Sequence, residues 1–266
     1  MDRAEGKTRR IAVILGPGGS SRYLIDRLRP LLAGDRDLEL QGVFLEEAGV
    51  QHAAELPFVK ELCRVTFAVR EFDSRQFEHM LAMRMRTARQ ALGVLAEHAG
   101  VPLTFRNARG SATGLLKEAV AHADITVFEP ARPPMAPVMS QAPGSRRSQR
   151  VTAVLTDVAS VPAVLRTALQ FAVGNAARVS ILMFPSDGQK AAALRAAYRE
   201  MLPGEPGQVR LLSAGDFKDL AITNRKLMST MLVVPANELM TRDHSLQFLL
   251  AQLRCPVCLV SQRQRT

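Results

Sequence analysis

The chain has no tryptophan and only two tyrosines among its 266 residues. An aromatic surface interleaved with basic residues, of the kind on which nucleobases stack, is therefore missing, which argues against sequence-specific reading of nucleic acid. Three cysteines, Cys63, Cys255 and Cys258, cannot complete a set of internal disulfides, and a chain of this size does not need one. No apolar run approaches the roughly 20 residues that span a bilayer; the longest, such as 181–184 and 231–234, are strand-sized. The first ten residues are polar and charged, without the apolar stretch of a secretory leader. The expectation is a cytoplasmic protein with no membrane span. Glycine is absent from Met231 to Thr266, which removes the ordinary means of bringing backbone N–H groups against phosphate there.

What is present is a hydrophobic content of 47%, enough for one large domain or two ordinary ones. The net charge of +10 is spread over both halves: residues 1–148 carry 21 Lys and Arg against 17 Asp and Glu, and residues 149–266 carry 14 against 8. Solvated ends and faces account for such a spread, and electrostatic association with nucleic acid or anionic lipid is the alternative, recognisable by a steep salt dependence.

One plan runs through the chain twice. Near-continuous apolar runs, suited to parallel strands covered on both faces, fall at 10–15, 38–46, 103–108 and 125–128. Helices are predicted between them at 23–32, 74–98 and 112–123. In the long second helix Phe77, Leu81, Met85, Ala88, Leu92 and Leu95 line one face, Met80, Met83 and Met85 read as packing residues, and Gly100 reads as the C-terminal cap. Residues around Leu56–Lys60 read as irregular. Five prolines from Pro130 to Pro143, followed by a basic run, read as a linker over 131–149. The plan restarts with strands at 151–156, 179–184, 209–213, 231–234 and 256–261 and helices at about 161–172, 189–202, 217–226 and from Asp243. Ser160 and Asp243 are the expected helix caps, with Pro162 in the first turn. The division is thus 1–130, linker 131–149, and 150–266. Two separate sheets are preferred over one of nine strands, since sheets seldom grow so large. The first half, lacking a fourth helix and fifth strand, leaves a sheet edge for the linker or another subunit to cover.

Asp157, Ser160 and the Ala/Leu-rich helix after them, the closing Leu-Arg-Cys-Pro-Val-Cys-Leu-Val, Leu56-Pro57-Phe58-Val59-Lys60-Glu61, and Thr104-Phe105-Arg106 through Arg109-Gly110 resemble segments of universal stress proteins. The resemblance is to the bacterial tandem type, with two such domains in one chain. It implies an α/β fold of doubly wound parallel sheets, strand order 3-2-1-4-5. It also implies ATP or a related nucleotide at the carboxyl ends of the strands, held through an aspartate after the first strand and a glycine-rich loop after the fourth. Asp157 matches that aspartate in the second half; the first half has Gly16-Pro17-Gly18 there. After the fourth strand the second half reads Pro235 to Asp243 without glycine, with Glu238 and Asp243 as unwelcome charges, and the first half passes from Phe128-Glu129 into the linker. Both phosphate sites that the resemblance implies are dismantled.

Two candidate sites remain. Gly16, Gly18, Gly19, Ser20 and Ser21, with Arg22, form a turn between a strand and a helix, the setting in which glycine-rich loops bind anions and also that of a plain tight turn. Asp157 either touches a ligand or simply suits its turn. Cys255-Pro256-Val257-Cys258 enters a strand, not a helix, so its cysteines point to opposite faces and read as structural. The five histidines lack metal-ligand spacing and no Gly-x-Ser-x-Gly is present, so neither a metal nor a catalytic residue is assigned. The expectation is a non-enzymatic regulatory or interaction protein without a cofactor, acting through a protein partner or as a homo-oligomer. The alternative is a stress-response protein that binds ATP or AMP through a modified phosphate loop.

Overall fold

The apolar runs become strands whose residues are almost wholly buried: Ile11 to Leu15, Ile125 to Phe128, Val151 to Leu155, Met231 to Val234 and Val257 to Val260 are each 5% exposed or less. The computed structural model describes residues 8–16, 21–33, 37–56, 58–62, 66–129, 150–202, 204–212 and 217–262. The first half runs β1 (Arg9–Leu15), α1 (Ser21–Leu32), β2 (Leu38–Glu47), α2 (Ala48–Glu55), β3 (Lys60–Leu62), β4 (Val69–Glu71), α3 (Ser74–Ala99), β5 (Leu103–Gly110), α4 (Ala112–His122) and β6 (Ile125–Phe128). The second runs β7 (Val151–Leu155), α5 (Val161–Phe171), a 3-10 turn (Ala176–Arg178), β8 (Val179–Met183), α6 (Gly188–Met201), β9 (Gln208–Leu211) and α7 (Phe217–Leu227). It ends with β10 (Met231–Pro235), α8 (Glu238–Thr241), α9 (Asp243–Gln252) and β11 (Val257–Val260).

The strand order is β5-β2-β1-β6-β11-β10-β7-β8-β9. Within the first half this is 3-2-1-4, and within the second 3-2-1-4-5, all parallel. The halves meet in the one antiparallel ladder of this sheet, β6 with β11, where Val257 lies opposite Phe128 and Val260 opposite Ile125. Two expectations change here. The strands form one nine-stranded sheet instead of two separate ones, and the open edge of the first half is covered by the last strand of the second, not by the linker or another subunit. The reason is mutual: β6 and β11 each have one unpaired row of backbone donors and acceptors, and pairing them satisfies both.

Each sheet face carries a core that crosses the seam. On one, Leu24 and Leu28 of α1 and Ala88 and Leu92 of α3 join Val164 and Ala168 of α5 and Leu194 of α6. On the other, Leu115 and Leu116 of α4 join Leu220 of α7 and Leu246 and Leu249 of α9. Close packing fixes Gly42 in β2, where a Cβ would lie 2.5 Å from the Phe105 ring. Gly100 ends α3 in the left-handed conformation, φ 68°, as its C-terminal cap. Met85 packs against the core, whereas Met83 is half exposed.

Local details differ from the sequence reading. Ser160 sits at the cap position of α5 without capping it; its hydroxyl donates instead to the Asp157 carbonyl at 3.0 Å. Asp243 is the first residue of α9, not its cap, and reaches Lys117 of α4 across the seam at 2.8 Å. The region read as irregular contains α2 and a separate antiparallel pair, β3 with β4, too short for alternation to reveal.

Candidate functional site

In an open parallel α/β sheet, ligands settle beyond the carboxyl ends of the strands, where the connections diverge. In the second half a hydrogen-bonded cluster stands at that position. Asp157 follows β7, Asn237 follows β10 and Gln262 follows β11, so the strand order brings three strand ends around one carboxylate. Its Oδ1 accepts from the Ser160 N–H at 2.8 Å and from Gln262 Nε2 at 3.0 Å; its Oδ2 accepts from Asn237 Nδ2 at 2.8 Å and from the Thr156 hydroxyl at 3.0 Å. Asn237 Nδ2 also donates to Thr156 Oγ1 at 2.6 Å, and its Oδ1 caps α8 through the Met240 N–H at 3.1 Å. Burial raises the pKa of Asp157, but the hydrogen bonds from Asn237, the Ser160 N–H and Thr156 outweigh it and hold the carboxyl below its ordinary range. A carboxylate offers about four acceptor positions, and all four are taken. The arrangement ties three strand ends together and leaves Asp157 no acceptor to spend on a ligand.

Beyond β10, Glu238 forms an exposed ion pair with Arg242 at 2.9 Å. Ala236, Glu238, Thr241 and Arg242 line a cavity of about 410 Å³ with Lys117, Val120 and Ala121 of α4. A larger cavity of about 620 Å³ lies between α1 and α3, lined by Ile25, Arg29, Ala91, Val94 and His98 among others. Neither cavity includes Asp157.

In the first half, Gly16 follows β1, half-buried, and a Cβ there would meet nothing within 4 Å, so space does not demand glycine. Gly18, Gly19 and Ser20 lie outside the described residues. Ser21 and Arg22 supply the first two residues of α1. Beside β1, at the end of the neighbouring strand β6, stands Glu129, whose Oε2 is buried without a hydrogen-bond partner among the described residues and whose pKa burial pushes up to about 7. Tyr23 of α1 senses it: burial raises the phenol, Arg27 lowers it, and Cys255 and Glu129 raise it further. The Arg27 guanidinium lies 5.0 Å from the Tyr23 ring centre. The reading of the sequence missed Glu129 as a functional group, because nothing in the string Phe128-Glu129 announces burial. Ionised, it sets negative charge at the strand end where a phosphate would need positive potential.

Cys255 and Cys258 are free, buried, and belong to opposite faces of the sheet, as their three-residue spacing requires. Burial pushes the Cys255 thiol up to about 11, with Asn224 Nδ2 donating to its sulfur at 3.2 Å, and raises Cys258 further still. His98 and His122 turn Nδ1 onto the carbonyls four residues back in their own helices, at 2.7 and 2.8 Å. Among the described residues no group of three or more His, Cys, Asp or Glu could hold a metal, and no helix is long and apolar enough to cross a membrane.

No family model matches the chain, and no curated protein matches it. Among solved structures it is similar to a universal stress protein from Archaeoglobus fulgidus, at 11% identity and TM-score 0.49, covering 94% of this chain and 96% of that one. It is also similar to a putative universal stress protein from Pseudomonas aeruginosa, at 11% identity and TM-score 0.43, covering 96% and 93%. A protein of unknown function from Pseudomonas aeruginosa gives 11% identity, TM-score 0.41, and coverage of 96% and 92%. Independently of these likenesses, the strand order is 3-2-1-4-5 in the second half and 3-2-1-4 in the first, which is the α/β order that the resemblance to universal stress proteins implies, without a fifth strand in the first half.

Proposed function

We propose that this chain is a non-enzymatic, universal-stress-protein-like regulatory or interaction module that binds ATP little or not at all. The carrying observation is the Asp157 carboxylate, saturated by Ser160, Gln262, Asn237 and Thr156 at the place where a nucleotide-binding relative would use it. The buried Glu129 supports the same reading in the first half. The proposal includes the division into 1–130, a linker over 131–149, and 150–266, a cytoplasmic setting, and action through protein contacts with no cofactor. The test is calorimetric titration of the purified protein with ATP and AMP, with mass spectrometry of small molecules released on denaturation. The expected result is no heat and no nucleotide. A stoichiometric nucleotide overturns the proposal and moves the site to residues 16–22, where Gly18→Val then abolishes binding.

A further inference from the structure

The pair β3 and β4 stands apart from the nine-stranded sheet, three residues to a strand, with Lys60 opposite Glu71, Glu61 opposite Arg70 and Leu62 opposite Val69. Its two faces differ. On one, Glu61 and Arg70 pair at 2.8 Å, and Phe72, just beyond β4, packs on Phe77 of α3 with ring centres 5.4 Å apart. On the other, Lys60, Leu62, Val69 and Glu71 are all exposed. Phe58 and Phe67, flanking the two strands, are 95% and 75% exposed, and Leu62 and Val69 are 54% and 61% exposed. Both phenylalanines hold positive φ, 69° and 54°, a conformation that costs a non-glycine residue of order 1 kcal/mol or more. Two-stranded ribbons are marginal in water, and contiguous apolar patches on monomers generally serve an interface.

We infer that this face is a self-association surface whose occupant is the same face of a second copy of the chain. Charge complementarity selects that occupant. Lys60 and Glu71 form no ion pair among the described residues, although they are cross-strand neighbours. A twofold axis running along the strands, between two such faces, exchanges β3 and β4: Lys60 then meets Glu71 of the second copy, and Leu62 meets Val69 of the second copy. The contact is self-complementary, as a twofold interface must be. Among the described residues the face carries one charge of each sign, so the contact escapes the repulsion that a net charge of +10 imposes elsewhere. Leu62 and Val69 give the face its apolar centre and the exposed Phe58 and Phe67 adjoin it, so the contact falls short of the roughly 800 Å² per partner of a standard interface. The dimer is accordingly reversible.

The experiment is sedimentation velocity of the full chain over a wide concentration range, with Lys60→Glu, Glu71→Lys and the double exchange. The parent protein is expected to pair on concentration, each single reversal to weaken pairing at least about tenfold, and the double exchange to restore it. Circular dichroism of each variant accompanies the measurement, and restoration by the double exchange shows that neither reversal acts by unfolding. A parent that stays monomeric, or a dimer indifferent to both single reversals, overturns the inference. The nucleotide titration above is independent of it, so either can fail alone.

Discussion

Asn237 and Asp157, eighty residues apart in sequence, meet at 2.8 Å, the amide of one donating to the carboxylate of the other beyond the ends of β10 and β7. The pair ties the end of β10 to the end of β7.

Replacing Asp157 by Ala should therefore cost stability, about 2–3 kcal/mol, because it leaves the Ser160 N–H and the Asn237 and Gln262 amides without their acceptor. Because the folded pKa is depressed, the contribution of this carboxylate is present above its ordinary value of 3.8 and is lost as pH falls through the lower folded value. Chemical denaturation of parent and variant at neutral pH measures the first effect, and repetition at decreasing pH should show the difference between them shrinking.

Glu129 acts with the opposite sign. Its pKa rises from 4.5 to about 7 on folding, so the folded state holds the proton more tightly and stability falls as pH rises from about 4.5 to about 7. Glu129→Gln should stabilise the protein at pH 8 by on the order of 2 kcal/mol and have little effect below pH 4.5. Denaturation midpoints at both pH values decide the matter; an equal effect at each would exclude proton linkage.

The thiols of Cys255 and Cys258 should be inert in the folded protein, being wholly buried and held protonated. Brief alkylation at pH 8 followed by peptide mass spectrometry should leave both unmodified, and alkylation in guanidinium should label both. Labelling of either one in the native state would contradict its burial.

Leu259→Pro tests the seam. β11 lies between β10 and β6, and proline there removes a backbone donor from a central strand. A loss of 3 kcal/mol or more is expected, with faster amide exchange on β6 as well as β11, because the two halves share this strand.

Sequence periodicity was sufficient for the elements. Ile11 to Leu15 and Ile125 to Phe128 become strand segments buried on both faces, Leu81, Ala88, Leu92 and Leu95 become one buried helix face, and the opposed directions of Cys255 and Cys258 follow from strand geometry. The resemblance to a known family, drawn from short strings, carried the strand order within each half. The β3 and β4 pair was illegible because three residues show no period and two phenylalanines hold a backbone conformation that sequence does not advertise.

By itself, then, the sequence determined what depends on near neighbours: which segments become strands or helices, which face of each is apolar, and that glycine is missing after β10. Tertiary structure decided what depends on distant partners. It joined β6 to β11, gathered Thr156, Ser160, Asn237 and Gln262 around Asp157, and buried Glu129 Oε2 without a partner among the described residues. Local propensity acts within a few residues, whereas strand pairing, hydrogen-bond saturation and burial are settled only when segments far apart in the chain are brought together.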